Sequence, residues 1–539
     1  MAFFLGVYSK NQFIGDSDIK SVVDDFGCNG SRNIYSIKRP GFHLYLVEKF
    51  KQNLLVHENQ IGFLAGWLDN LETPLNSADY HHNIFKNYEE DPTSFLQSSE
   101  GAFALTYYDN DSHTLHLAND RFGMSPLFIY ENENYIYFSN EYEPLVHAME
   151  AKEINADAIA EFFVLGTTLG GKTFFRNIEN LKPATIFTAS GIHTKQNSYW
   201  KPNVEINQSD IQQQAKEMWD LFNKVNQQVF NSQKIETALL TAGADSRVIL
   251  ATLRSDQRNS VRFYTSNLSH LAQEEDQDVF GAKLLAQRFN LRHVIEKISY
   301  YENEFDENYF SSWRVLRFHQ VYGGWHGGEF MGGFCVKAAP VSENLNENEV
   351  NMQYRKLFSR KFRKQVRLHP WDSYIQNKEA GLLFSLRQFT QSFFTTIYKG
   401  SRGHWLQPFQ LVSHGYSPFW DSRIIKKILS VPAAFLNDYH FYNELMKNAP
   451  AEFLNVGSNS PLTKRNDSVL SVLQTGVEPK LHIPNVHANA FARCIRNPEI
   501  WKKKFYKQKN IKKILSNEND PMSTRWLDFE IWYTEYMKL

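Results

Sequence analysis

Glu236-Thr237-Ala238-Leu239-Leu240-Thr241-Ala242-Gly243-Ala244-Asp245-Ser246-Arg247-Val248-Ile249-Leu250-Ala251 is the stretch on which the fold turns. Its first residues read as a short strand ending at Leu240. Small residues follow, and the pattern predicts a helix beginning near Asp245 or Ser246, with Val248, Ile249 and Leu250 apolar. A strand that ends in a tight loop at a helix start aims unpaired backbone N–H groups and the positive end of the helix into one small space. Small side chains let the backbone approach an anion closely. Thr241 and Ser246 add hydroxyl donors, and Asp245 is a hard oxygen ligand for a divalent cation bridging phosphate oxygens. No Lys follows the loop, so it is not the GxxxxGK[ST] phosphate loop.

The flanking sequence repeats the pattern. Ser260 to Thr265 reads as the next strand, and an acidic linker leads to Asp278. A helix then places Ala282, Leu285, Ala286 and Phe289 on one face, and His293 to Glu296 reads as a third strand. Alternating strands and helices predict a parallel α/β core, with the anion loop at the carboxyl end of its first strand. A second loop signal lies at Gly323-Gly324-Trp325-His326-Gly327-Gly328-Glu329-Phe330-Met331-Gly332-Gly333, six glycines in eleven residues. There Glu329 is a further hard ligand for Mg²⁺ and His326 a titratable group.

Upstream, the texture differs. Gly62–Leu68, Ala102–Tyr108, Thr114–Ala118 and Tyr135–Ser139 are β-rich runs, and Ala184–Thr194 reads as a hairpin turning at Ser190-Gly191. Ser209 or Asp210 caps an expected helix running to about Phe230. The texture changes between residues 202 and 209, and the tail beyond about residue 380 reads as mainly helical.

The 539 residues allow two to four domains. Hydrophobic residues at 42% and charged residues at 22% exclude disorder as the dominant state. Lys plus Arg total 58 against 59 for Asp plus Glu, which argues against nucleic-acid binding as the main work. Cys28, Cys335 and Cys494 have neither metal nor redox spacing. No basic-then-apolar leader and no run of about 18 apolar residues is present, so a cytoplasmic protein without a membrane span is expected. Two basic clusters, Arg355 to Arg367 and Lys502 to Lys513, read as solvated helix faces or as docking sites for an acidic partner or a peptide substrate.

Together these residues resemble the asparagine synthetase superfamily. Thr241 to Ser246 is similar to its S-G-G-x-D-S pyrophosphate loop, with Ala242 at a glycine position. Asp278 to His293 matches its Asp-helix-His spacing, and His326-Gly327-Gly328-Glu329 resembles its second metal loop, with Glu329 at the usual Asp position. Tyr416-Ser417-Pro418-Phe419-Trp420-Asp421 resembles its V-P-F-L-D turn. Asn119 to Leu127 resembles its R-D-x-x-G-x-x-P-L signature, and Phe138-Ser139-Asn140-Glu141 its A-S-E strand end.

The resemblance implies two domains. Residues 1–205 would be a class II glutamine amidotransferase-like domain, an Ntn-hydrolase-like sandwich. Residues 206–539 would be an ATP-dependent synthetase domain, an adenine-nucleotide α-hydrolase-like parallel α/β core with a helical tail. The first would be inactive as a glutaminase. Residue 2 is Ala2 where the glutamine-using members carry the nucleophilic cysteine, and their N-G-E glutamine clamp stands as Ala65-Gly66-Trp67. β-Lactam synthetases, carbapenam synthetases and lasso-peptide cyclases resemble this chain in that loss.

The activity implied is adenylation of a carboxylate by ATP, then capture by an amine without glutamine hydrolysis. Thr241, Gly243 and Ser246 would bind pyrophosphate, and Asp245 and Glu329 would hold Mg²⁺. Leu240 and Thr265 would offer backbone groups to adenine, while Gly324 and Trp325 would line the site. His326, where lasso cyclases also carry His, would take the amine proton, and Lys464 or Arg465 would stabilise developing charge. In its most specific form the expectation is a lasso-peptide-type macrolactam cyclase, with a precursor peptide and a leader-peptide protease as candidate partners. A ligase using ammonia or a small amine and a non-catalytic scaffold are the alternatives.

Overall fold

The computed structural model describes residues 4–28, 34–47, 51, 53–57, 59–69, 79–123, 125–140, 143–165, 168–201, 205–232, 235–267, 277–297, 321–322, 346–379, 415–436 and 440–454. The chain divides into two compact units. One comprises residues 1–202, 339–410 and 483–539, the other 203–338 and 411–482.

The first unit holds two antiparallel sheets. One runs in the order β10-β8-β9-β1-β3-β2, where β1 is Phe4–Ser9, β2 Ile34–Arg39, β3 Phe42–Val47, β8 Phe128–Glu131, β9 Tyr135–Ser139 and β10 Ile178–Asn180. The other runs β12-β11-β7-β6-β5-β4, with β4 Leu54–His57, β5 Gln60–Asp69, β6 Glu100–Asp109, β7 Thr114–Asn119, β11 Thr185–Ser190 and β12 His193–Ser198. Alternation sends Phe4, Phe42, Leu44 and Phe138 of one sheet and Phe63, Tyr108, Leu117 and Phe187 of the other into a shared core. Phe4 meets Phe63 edge-to-face at 5.2 Å, and Phe42 stacks on Tyr108 at 4.3 Å.

Helices cover both outer faces. Tyr80–Glu90 and Pro92–Ser98 pack Ile84, Phe85, Tyr88 and Leu96 on the second sheet. Asp16–Cys28 and Ala156–Leu165 pack on the first. This helix–sheet–sheet–helix layering agrees with the sandwich expected of the amino-terminal domain.

Residues 347–379 lie far along the chain, inside the expected second domain, yet they belong to the first unit. Val350, Tyr354, Leu357, Phe358, Phe362 and Tyr374 join the same apolar cluster as Ile159, Phe162 and Phe163. The physical reason is that Ala156–Leu165 is buried on every side, at every residue but Asp157, and so needs a cover on its outer side. A buried ion pair ties the parts together. Lys172 Nζ lies 2.6 Å from Glu161 Oε1 and donates to Ser373 Oγ at 2.9 Å, while Leu169 N donates to Glu161 Oε2. Burial raises the Glu161 carboxyl above its usual range, and Lys172 opposes that. The basic cluster is the outer side of this cover, with Arg355, Lys356, Arg360, Lys361, Lys364 and Arg367 exposed.

The second unit contains a parallel sheet in the order β15-β14-β13-β16-β17, with β13 Thr237–Leu239, β14 Arg262–Asn267, β15 Arg292–Lys297, β16 Val321–Tyr322 and β17 Gly415–Tyr416. Strand β13 is central. The chain leaves it toward β14 on one side and returns as β16 on the other, which makes its carboxyl end a topological switch point. Helices Ile211–Ser232, Ala244–Thr252 and Gln277–Arg288 accompany the sheet. The first is capped by Asp210, whose Oδ1 accepts from Gln213 N at 2.7 Å. No helix among the described residues is long and apolar enough to cross a membrane.

Candidate functional site

The loop from Leu240 to Ser246 sits at that switch point. Leu240 N still donates to Tyr264 O at 2.8 Å, so the sheet extends one residue beyond β13. The chain then turns, and the helix begins at Ala244 with Gly243 as its N-cap, extended at φ −66° and ψ 159°. No side chain caps this helix. Its first N–H groups therefore face the loop without an intrahelical acceptor.

Within the loop the two hydroxyls act as a pair. Thr241 Oγ1 and Ser246 Oγ lie 3.0 Å apart. Thr241 N donates to Ser246 Oγ at 3.1 Å, and Gly243 N donates to Thr241 Oγ1 at 3.0 Å. The peptide between Ala242 and Gly243 is thus held from both ends, because Arg247 Nε donates to the Ala242 carbonyl at 3.1 Å. Arg247 is only 4% exposed, and burial pushes its guanidinium down to about 10. Its Nη1 donates to Phe453 O at 3.1 Å. Phe453 in turn stacks on Phe289 at 4.2 Å.

Ala242 occupies a glycine position of the motif, and Gly281 accommodates it. A Cβ built at Gly281 would lie 2.4 Å from Ala242 Cβ. The helix Gln277–Arg288 thus approaches the loop over a notch that only glycine provides.

The neighbouring strand ends complete the site. Thr265 Oγ1 donates to Leu240 O at 2.6 Å and lies 2.7 Å from His293 Nε2. Since the threonine proton is engaged by the carbonyl, His293 Nε2 carries a hydrogen and donates to Thr265. Burial, with Lys283 adding repulsion, holds His293 below the ordinary imidazole range and therefore neutral. Leu240, expected to serve adenine through its backbone, has its N–H engaged in the sheet. Its carbonyl oxygen, with two lone pairs, is the group left to accept a second hydrogen bond. Asp421, at the end of the family-like turn, is buried and caps the helix Ser422–Ser430 through Arg423 N at 2.9 Å. Its carboxylate also holds the Arg423 guanidinium at 3.0 and 2.8 Å.

The structure therefore brings together Leu240, Thr241, Gly243, Asp245, Ser246 and Thr265. Gly324, Trp325, His326, Glu329, Lys464 and Arg465 lie outside the described residues, as does Ala2. The glycine-rich stretch begins at the residue after β16. Among the described residues no group of three or more His, Cys, Asp or Glu is gathered as for a metal. One half-buried carboxylate, Asp245, at the start of the anion loop's helix nevertheless fits Mg²⁺, which binds through one or two carboxylates plus substrate phosphates.

Three residues of this site carry no role in the sequence reading. Arg247 stands in the motif as a bare helix residue, and His293 only marks a spacing. Tyr442, whose hydroxyl donates to Asp245 Oδ1, is 197 residues away from it. No local signal could have found that pair.

In the first unit, Ala65-Gly66-Trp67 lies in β5 opposite Ala104, Phe103 and Ala102 of β6. Gly66 has φ +97°, and a Cβ there would lie 2.2 Å from Ala102 O, so the strand requires glycine. Trp67 fills its place with a buried indole where the family's clamp carries an acid.

Residues 68–200 match the family model of a glutamine amidotransferase domain. Asparagine synthetase (glutamine-hydrolyzing) 1 of Bacillus subtilis (strain 168) is 25% identical over 173 residues, 32% of this chain and 27% of that protein. Asparagine synthetase (glutamine-hydrolyzing) 2 of the same strain is 28% identical over 120 residues, 19% of this chain and 16% of that protein. The chain thus spans less than a third of the length of the curated relatives it matches. A solved structure, glutamine phosphoribosylpyrophosphate amidotransferase from B. subtilis complexed with ADP and GMP, is similar at 8% identity over 59% of this chain and 74% of that chain. Its TM-score of 0.24 is too low to establish a shared fold. The amidotransferase domain match and the two curated relatives support a kinship with the asparagine synthetase superfamily over the part of the chain they cover.

Proposed function

We propose that this protein is an ATP-dependent, AMP-forming amide ligase that works without hydrolysing glutamine, its first unit an inactive amidotransferase-like domain and its second a synthetase. The observation that carries this reading is the anion loop at the switch point. An uncapped helix start, paired hydroxyls of Thr241 and Ser246, and the Asp245 carboxylate converge there.

In the reaction, a carboxylate oxygen of the substrate attacks the α-phosphorus of ATP. The bond to the bridging oxygen breaks, and pyrophosphate leaves toward the loop N–H groups and the hydroxyls of Thr241 and Ser246. An amine then attacks the acyl carbon, AMP departs with the bonding electrons, and His326 accepts the amine proton. Arg247 keeps the Ala242 carbonyl turned out of the loop, so the anion meets donors rather than an acceptor. Asp245 and Glu329 would hold Mg²⁺, which would supply neutralisation of phosphate charge. Lys464 or Arg465 supplies the cation at the reacting centre. In its finer form the substrate is a peptide closed into a macrolactam. The exposed cations between Arg355 and Arg367, which suit an acidic peptide, and the resemblance of His326 to lasso cyclases support that form.

Calorimetric titration of a non-hydrolysable ATP analogue with Mg²⁺ tests the reading. The wild type is expected to bind, and Asp245→Ala to bind at least 10-fold more weakly. No uptake by the wild type would favour a non-catalytic scaffold.

A further inference from the structure

We infer that Tyr442 is a positioning residue that orients Asp245 for Mg²⁺, an inference that rests on the ligase reading above. Tyr442 lies on the short helix His440–Met446, which packs against the helix Ile211–Ser232. Its neighbours Phe441, Leu445 and Met446 are fully buried and apolar, and Tyr442 itself is 1% exposed. A phenylalanine would fill that volume equally well. What distinguishes the tyrosine is its hydroxyl, which a buried site must satisfy, and it donates to Asp245 Oδ1.

Asp245 is the second residue of the helix Ala244–Thr252, half-buried, on the first turn beside the anion loop. A carboxylate there has rotational freedom about its own bonds. A fixed O–H donor removes that freedom and sets which way the group faces. Partners of this kind hold metal-ligating carboxylates in register, and their loss commonly costs 10- to 100-fold in metal affinity. The hydroxyl comes from a segment nearly 200 residues away, so the two arms of the second unit meet at this carboxylate.

The test uses the full-length chain and binding rather than turnover. The non-hydrolysable ATP analogue is titrated with and without Mg²⁺ into the wild type, Tyr442→Phe, Asp245→Asn and the double variant, with thermal unfolding as the check on folding. Tyr442→Phe should keep Mg²⁺-free nucleotide binding and lose about 10-fold in Mg²⁺ affinity for the nucleotide complex. In the Asp245→Asn background the same substitution should have no further effect. Equal weakening with and without Mg²⁺, an undiminished effect in the Asp245→Asn background, or unchanged or tighter Mg²⁺ binding would each overturn the inference and leave the ligase reading intact. A wild type that takes up neither nucleotide nor Mg²⁺ overturns both.

Discussion

At the scale of single residues, the loop is shaped by a trade between Ala242 and Gly281. The methyl group that departs from the family motif stands over a helix position with no side chain. Glycine inside a helix costs about 1 kcal/mol relative to alanine, so helix propensity alone favours Gly281→Ala. The contact decides otherwise. A new Cβ at 2.4 Å from Ala242 Cβ and 3.0 Å from its Cα must push the loop backbone, and overpacking of this kind costs about 1–3 kcal/mol. Gly281→Ala is therefore expected to lower the thermal midpoint and to weaken nucleotide-analogue binding, and adding Ala242→Gly should restore both. A stabilised Gly281→Ala protein would show that the notch is incidental. None of this is visible in the motif, where Ala242 reads as a defect and Gly281 as an ordinary helix residue.

At the scale of elements, the sequence exposed those that carry strong periodicity. Strands β5, β6, β7 and β9, the β11–β12 hairpin, the helix after Asp210 and the strand–loop–helix of the site all lie where their apolar spacing and turn residues place them. Strand β1 escaped notice because all six of its residues are buried, which leaves no alternation to read. The turn between β6 and β7 shows what else a sequence hides. His113 there adopts φ +47°, stacks on Tyr8 at 4.6 Å, and donates through Nε2 to Ser9 O at 2.8 Å, with Tyr108 Oη 3.0 Å from its Nδ1. Burial depresses its basicity, with the Ser9 hydrogen bond opposing. The folded protein holds it neutral, whereas the unfolded chain protonates it near the usual value of about 6.5. Its share of stability is thus complete above that pH and is lost as the pH falls toward the depressed folded value. Denaturation midpoints should drop as the pH falls below about 6.5. His113→Asn, which tolerates the same backbone, should flatten that slope in part, since His43 and His116 are depressed in the same direction. An unchanged slope would remove His113 from the titrating set.

At the scale of the whole molecule, the return of residues 347–379 to the first unit is not legible in the sequence. Nothing local marks these three helices as belonging to a sheet more than 150 residues upstream. Only the predominance of apolar residues in Ala156–Leu165 hints that something must cover it. A fragment of residues 1–205 should consequently aggregate or bind hydrophobic dyes, because Ile159, Phe162 and Phe163 lose their cover. A peptide of residues 346–379 supplied with it should restore a monomer by sedimentation. A monomeric, dye-silent fragment without the peptide would mean the cover is dispensable. The same arrangement constrains birth on the ribosome. Roughly 200 residues separate the end of the first sheet, at Asn180, from the end of the helices that complete its cover. At about 5–20 residues per second, the nascent first unit waits some 10–40 s with an open greasy flank. That interval makes the protein a natural client for chaperones that shield emerging chains, and it makes translation speed across residues 203–379 a determinant of yield.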